Sequence, residues 1–256
     1  MKKFLKKILK KFRKSHLVYS GPYTTWSEAV KNSTGYDSKI IIEKVSESTL
    51  KVINGVKAYE RDGTLFDNKP EKNMLLEQLA KTNIYGKVIV DMGGGLGSNY
   101  INYSNFFRDN NCIYYVVEQE NFIEKGNEIA KEYNLNLNFR KDLSEIDENI
   151  NIVICSSFLQ YIENWKTIVS EIKAKKPQNI FVDRHPLTNK DSEILVQLNT
   201  GYYKKKVTYP LHLVNEEEFI KEFKPYVMIE RWDSDFDPPY FKGFHFRSDY
   251  INFLFD

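Results

Sequence analysis

The chain has 256 residues, 41% of them hydrophobic, 28% charged and 14% aromatic, enough to bury one sizeable core and too apolar for a disordered chain. Two cysteines exclude a disulfide framework or a four-cysteine zinc site, and no apolar run of eighteen residues is present to span a bilayer. The net charge of +2 conceals an asymmetry: residues 1–20 hold eight cations and no acid, and subtracting those from the 37 cations leaves 29 against 35 acids.

In chain order, residues 1–20 come first. Phe4, Leu5, Ile8, Leu9 and Phe12 fall at helical spacing with lysines on the other side. Such a helix suits peripheral contact of a cytoplasmic protein with the anionic inner face of the membrane. A solvated basic tail is the alternative. The acidic remainder disfavours nucleic acid, because polyanion affinity comes from neutralised phosphates.

Residues 21–84 read as a helical cover. Gly21-Pro22 breaks the first helix, and Trp26 to Lys31 forms a short turn of helix. Asp37 can cap a helix carrying Ile41, Val45, Thr49 and Val52. Asn54-Gly55 marks a turn, Ala58 to Asp62 is a polar stretch, and Glu71 to Lys81 is a further helix. No repeat or low-complexity linker interrupts the chain.

Residues 85–256 carry the chemistry. Lys87 to Asp91 is a short apolar strand ending in a carboxylate, followed at once by Gly93, Gly94, Gly95 and Gly97 and a helix from about Ser98. The next strand, Cys112 to Val117, ends in Glu118, twenty-one residues after Gly97. Glycines let a ligand approach the backbone at the carboxyl ends of strands, and an acid ending the second strand can accept from both ribose hydroxyls. The dinucleotide fingerprint begun at Gly93 requires Gly or Ala at position 98, where Ser98 stands, and no Gly-Lys-Ser/Thr follows to make a P-loop. Further strands are expected at 137–140, 151–155, 179–183, 227–232 and 241–247, with a helix at 216–223. The expectation is an α/β, Rossmann-like seven-stranded sheet. Cys112 and Cys155 fall in the second and fourth strands and read as reduced core residues of a cytoplasmic protein.

The spacing Asp91, Gly93, Gly95, Gly97 resembles the first motif of class I S-adenosylmethionine-dependent methyltransferases, and the strand order expected over 85–256 is similar to theirs. A narrower resemblance runs over about 21–248. The runs STGYDS, AYERDGTLFD, VVEQ, SSFLQYIE, VDRHP and FKGFHF look like a methyltransferase family often encoded among surface-polysaccharide biosynthesis genes. Its members are associated with methyl decoration of capsule or lipopolysaccharide, including phosphoramidate groups on capsular sugars. The resemblance implies S-adenosyl-L-methionine as cofactor and a small-molecule or glycan acceptor. On the cofactor side it implies Asp91, Gly93, Gly95, Gly97, Glu118, Gln119, Ser156 and Gln160.

Methyl transfer is an in-line displacement at a sulfonium carbon, and alignment of the acceptor alone can contribute about 7–11 kcal/mol. A sugar hydroxyl also needs proton removal, whereas an ionised phosphoramidate oxygen needs cationic positioning. His185, ending the fifth strand in Asp183-Arg184-His185-Pro186, is the expected base; its alternative is a turn histidine bonded to backbone. Arg184 and Arg61 join it as catalytic candidates, with a structural ion pair as the plainer reading of each. Tyr59, Tyr161, Tyr209 and His212 are candidates for the acceptor. The long segment 184–214, with Tyr202, Tyr203 and Lys204 to Lys206, reads as an insertion covering the acceptor. His16 and His245 are assigned no chemistry, and four scattered histidines suggest no metal site. The rival functions are a nicotinamide-dependent enzyme, opposed by Ser98, and a catalytically silent binding protein of the same fold, opposed by the intact glycine turn with Glu118.

Overall fold

In the computed structural model, which describes residues 17–34, 38–199, 207–235 and 237–248, the chain opens on strand β1 (Leu17–Tyr23). The basic helix expected over 1–20 is therefore corrected at its end, since residues 17–20 pair as strand; residues 1–16, with His16, lie outside the described residues. Helix α1 (Trp26–Lys31) starts on Thr25, whose hydroxyl accepts from the Glu28 N–H. Helix α2 (Ser38–Ile53) buries Ile41, Val45 and Thr49; the cap expected at Asp37 lies outside the described residues. A two-stranded hairpin then interrupts the helical cover, β2 (Tyr59–Arg61) pairing with β3 (Thr64–Phe66). Asp62 and Gly63 both have positive φ, 51° and 74°, as a two-residue hairpin turn of matching twist requires. Helix α3 (Met74–Ala80) starts on Asn73, whose side chain accepts from the Leu76 N–H.

The central unit follows as β4 (Val88–Met92), α4 (Ser98–Asn102), α5 (Ser104–Asp109), β5 (Ile113–Val117), α6 (Glu120–Glu132), β6 (Leu137–Arg140) and β7 (Ile152–Ser156). It continues through α7 (Trp165–Ala174), β8 (Asn179–Thr188), β9 (Glu193–Asn199), β10 (Val207–Asn215), α8 (Glu216–Glu222), β11 (Val227–Asp233) and β12 (Phe241–Arg247). Strands β6, β5, β4, β7 and β8 lie side by side in parallel, β12 joins β8 antiparallel, and β11 joins β12. These are the seven strands expected from the sequence. β4 is buried along its whole length because helices cover both faces of the sheet, which suits its Val-Ile-Val run.

The sheet has ten strands, not seven. β8 runs on past its pairing with β12, and Leu187 and Thr188 pair in parallel with Val214 and Asn215 of β10. β9 lies antiparallel on β10, and β1 on β9. The segment 184–214 is thus mostly sheet; residues 200–206, with Tyr202, Tyr203 and the lysine run, lie outside the described residues. The two core layers divide by strand alternation: Val88, Val90 and Met92 join Trp165, Phe219, Phe244 and Phe246 in one, while Ile89 joins Tyr100, Phe107 and Tyr114 in the other. Cys155 sits in the first layer and Cys112 in the second, both free and buried, and burial raises the pKa of each thiol. His245 is core, stacked on Phe181 at 4.3 Å and bonded to Asn179. Among the described residues no helix is long and apolar enough to cross a membrane.

Candidate active site

A cleft of about 1090 Å³ lies over the carboxyl ends of β4, β5, β7 and β8, where open α/β sheets place their ligands. β4 delivers Asp91 to its floor. The Asp91 carboxyl is 1% exposed, and its Oδ2 accepts from Asn99 Nδ2 and Tyr114 OH, each at 3.0 Å. Its Oδ1 has no partner. Burial pushes this carboxyl up to about 6 against those two donors. The chain then turns through Gly93 to Gly97. Gly95 has φ 58°, and a Cβ built on it would meet nothing within 4 Å, so its open side faces the cleft it lines. Gly97 serves packing instead, since a Cβ there would lie 2.6 Å from Leu137. Glu118 ends β5 half-buried, its Oε2 accepting the Gln119 N–H at 2.7 Å, and desolvation raises its pKa.

The cover hairpin forms the facing wall. Glu60 is 1% exposed and lines the cleft; burial pushes its carboxyl up to about 7. Arg184, at φ 55° in the left-handed region, donates through Nη2 to Asp62 at 2.9 Å and through Nε to Asp237 at 3.0 Å. Although its position in the cleft opposes ionisation, Asp62 is held below the usual carboxylate range by that guanidinium. Arg61 Nη1 donates to the Asp235 carbonyl at 3.4 Å, and the Asp235 carboxylate accepts the Met74 N–H. Asp183, ending the parallel run of β8, accepts the Trp232 indole N–H at 2.9 Å, and burial pushes its carboxyl up to about 6. Tyr161 and Tyr209, which also line the cleft, meet edge to face at 5.1 Å, each bonded to Gln197. Among the described residues lining the cleft, ten charged side chains are acidic and four basic.

No protein-family model matches the chain, and no curated protein matches its sequence. Solved structures do match its fold. A S-adenosylmethionine-dependent methyltransferase from Clostridium acetobutylicum is 10% identical with a TM-score of 0.50, over 68% of this chain and 88% of that one. The CcbJ methyltransferase from Streptomyces caelestis is 12% identical with a TM-score of 0.51, over 71% and 91%. The chain has the methyltransferase fold.

On that fold the residues singled out from sequence divide. Asp91, Gly93, Gly95, Glu118, Gln119 and Ser156 line the cleft, as do Tyr59, Arg61, Tyr161, Arg184 and Tyr209. Gly97, Gln160, His185 and His212 do not. Gln160 is fully buried, its amide donating to Ser157 Oγ and the Arg184 carbonyl, so it braces the wall from behind. His212 sits behind Trp26, stacked on it at 4.5 Å and bonded to the Glu163 carbonyl.

The expected base His185 needs the larger correction. It is fully buried against Phe219 at 4.3 Å, its Nδ1 shared with Gln160 Oε1 and its Nε2 without a partner. Burial pulls its pKa down to about 3, with His212 adding to the effect. His185→Ala should therefore lower stability by about 2–4 kcal/mol, the usual loss for emptying a core site, while S-adenosylhomocysteine affinity stays at the wild-type value. Chemical denaturation and calorimetry check the two halves separately.

Residues the sequence reading passed over are Glu60, Asp62, Asn99, Asp183, Gln197 and Asp237. Glu60 and Asp62 stand inside the AYERD run, and Asp183 inside VDRHP beside Arg184 and His185. Gln197 and Asp237 carry no local signal. Tertiary pairing alone brings them to the cleft.

Proposed function

We propose that this chain is a S-adenosylmethionine-dependent methyltransferase that O-methylates a sugar hydroxyl on a surface polysaccharide or its precursor. The observation that carries the reading is one cleft holding the glycine turn and Glu118 together with Asp183 and an aromatic wall. The residues present suit the cofactor: Gly95 leaves its cleft side open, and Glu118 ends its strand where a ribose would lie. When bound, that cofactor supplies a methyl group on a sulfonium.

The chain's own contribution is placement and proton removal. Tyr161, Tyr209 and Trp26 offer ring faces and edges against which the apolar side of a sugar can rest. Asp183, oriented by Trp232, accepts the hydroxyl proton, and a carboxyl poised near neutrality suits that task. Cleft charge favours a hydroxyl over an ionised phosphoramidate. Arg184 is already shared by two carboxylates, and acids outnumber bases along the walls. The test has two arms: calorimetry with S-adenosylhomocysteine, and transfer of a tritiated methyl group to neutral and to phosphoramidate-bearing capsular oligosaccharides. Binding plus labelling of the neutral glycan is the expected result. Absence of S-adenosylhomocysteine binding would remove the assignment, and labelling confined to the phosphoramidate would reverse the choice of acceptor.

A further inference from the structure

Proton removal at Asp183 leaves another buried acid of the cleft without a task. Glu60 lies in β2 of the cover, and its backbone is locked to α4: the Glu60 N–H donates to Asn102 Oδ1 at 3.0 Å, and Asn102 Nδ2 donates to the Glu60 carbonyl at 2.8 Å. α4 begins directly after the glycine turn, so this lock holds the carboxyl beside the turn. One carboxyl oxygen, Oε2, accepts the Gly63 N–H at 3.2 Å. The other, Oε1, is buried and has no partner.

Among the described residues no cation lies within ion-pairing distance of Glu60. Arg184, the nearby guanidinium, is committed to Asp62 and Asp237. The Gly63 N–H and the Ser98 hydroxyl support this carboxyl but carry no charge, and Oε1 still has no hydrogen bond, so the buried group has room for one more donor. Glu60 lines the cleft, so that donor can come from a ligand held there.

Resting on the cofactor reading above, we propose that Glu60 Oε1 receives the ammonium group of the cofactor's methionine half. That group carries three N–H donors, whereas the sulfonium carries none. The ribose end belongs to Glu118, the residue that follows β5, and not to the cover. A carboxyl whose pKa burial has brought near neutrality ionises readily when a cation arrives. The cover thereby reads the amino-acid half of the ligand and the sheet reads the nucleoside half.

Two probes separate the halves: S-adenosylhomocysteine, and 5′-methylthioadenosine, which keeps the nucleoside and sulfur but lacks the amino-acid portion. In calorimetry on the full chain, Glu60→Gln should weaken S-adenosylhomocysteine by about 10- to 100-fold, as loss of a charge-assisted bond implies. The same variant should bind 5′-methylthioadenosine within about twofold of wild type, which also reports that its cleft is folded. Wild-type affinity of Glu60→Gln for S-adenosylhomocysteine would overturn the inference, as would equal loss of both ligands. A wild-type chain that binds neither would overturn the cofactor reading itself, and this inference with it.

Discussion

Gly95→Val abolishes S-adenosylhomocysteine binding, with affinity reduced by at least about 100-fold, if the cofactor rests against the open side of the glycine turn. A Cβ at this position meets no protein atom within 4 Å, so the added side chain grows into the space the ligand would take. It also strains the backbone, because a β-branched residue at φ 58° costs about 1–2 kcal/mol. Gly55→Val supplies the matched control. Gly55 has φ 70° and equally open space, but it lies in the turn after α2, outside the cleft. Both variants should melt a few degrees lower, and only Gly95→Val should lose the ligand. Calorimetry paired with thermal melting decides it; equal affinity in the two variants would place the cofactor elsewhere.

Asp183→Asn should cut methyl transfer to a neutral glycan by about 100-fold or more, the usual contribution of a positioned base, with S-adenosylhomocysteine affinity unchanged. Wild-type turnover should fall as the pH drops through about 6, because only the ionised carboxylate accepts a proton and burial places its pKa there. The residual rate of the Asn variant should be flat across that interval. Stability should move the other way. A carboxyl whose folded pKa is raised above its unfolded value disfavours the folded state once ionised, a penalty absent at low pH and fully present above about 6. At pH 8 the Asn variant should therefore melt no lower than wild type. Turnover near wild type in Asp183→Asn would show that another group takes the proton.

What could be read in advance follows from how local each feature is. The β4–turn–α4–β5 unit is written in contiguous residues: an apolar run, four glycines, a helix start and an acid at a fixed spacing. The cover hairpin was equally local, since Asp62-Gly63 is a two-residue turn signal between Tyr59 and Phe66. Its strands are only three residues each, too short for alternation to register. The extra strands β9 and β10 were missed for a different reason. A thirty-one-residue connection reads as a covering loop until β8 is seen to continue past Asp183 and offer Leu187 and Thr188 as a new edge.

His185 and Asp183 mark the boundary most sharply. By itself the sequence determined the α/β class, the positions of the central seven strands and the glycine turn, because each depends on patterns within a few residues of one another, while the order of those strands across the sheet was implied by the methyltransferase resemblance. It also placed a cluster of polar groups at the end of β8. Which of them faces the cleft was decided only in three dimensions. Trp232 of β11 draws Asp183 to the ligand side, Asp62 and Asp237 claim Arg184 from two distant segments, and Phe219 of α8 takes His185 into the core. Those partners lie 34 to 122 residues away. A side chain's direction and charge state depend on such neighbours, and no local pattern in the chain encodes them.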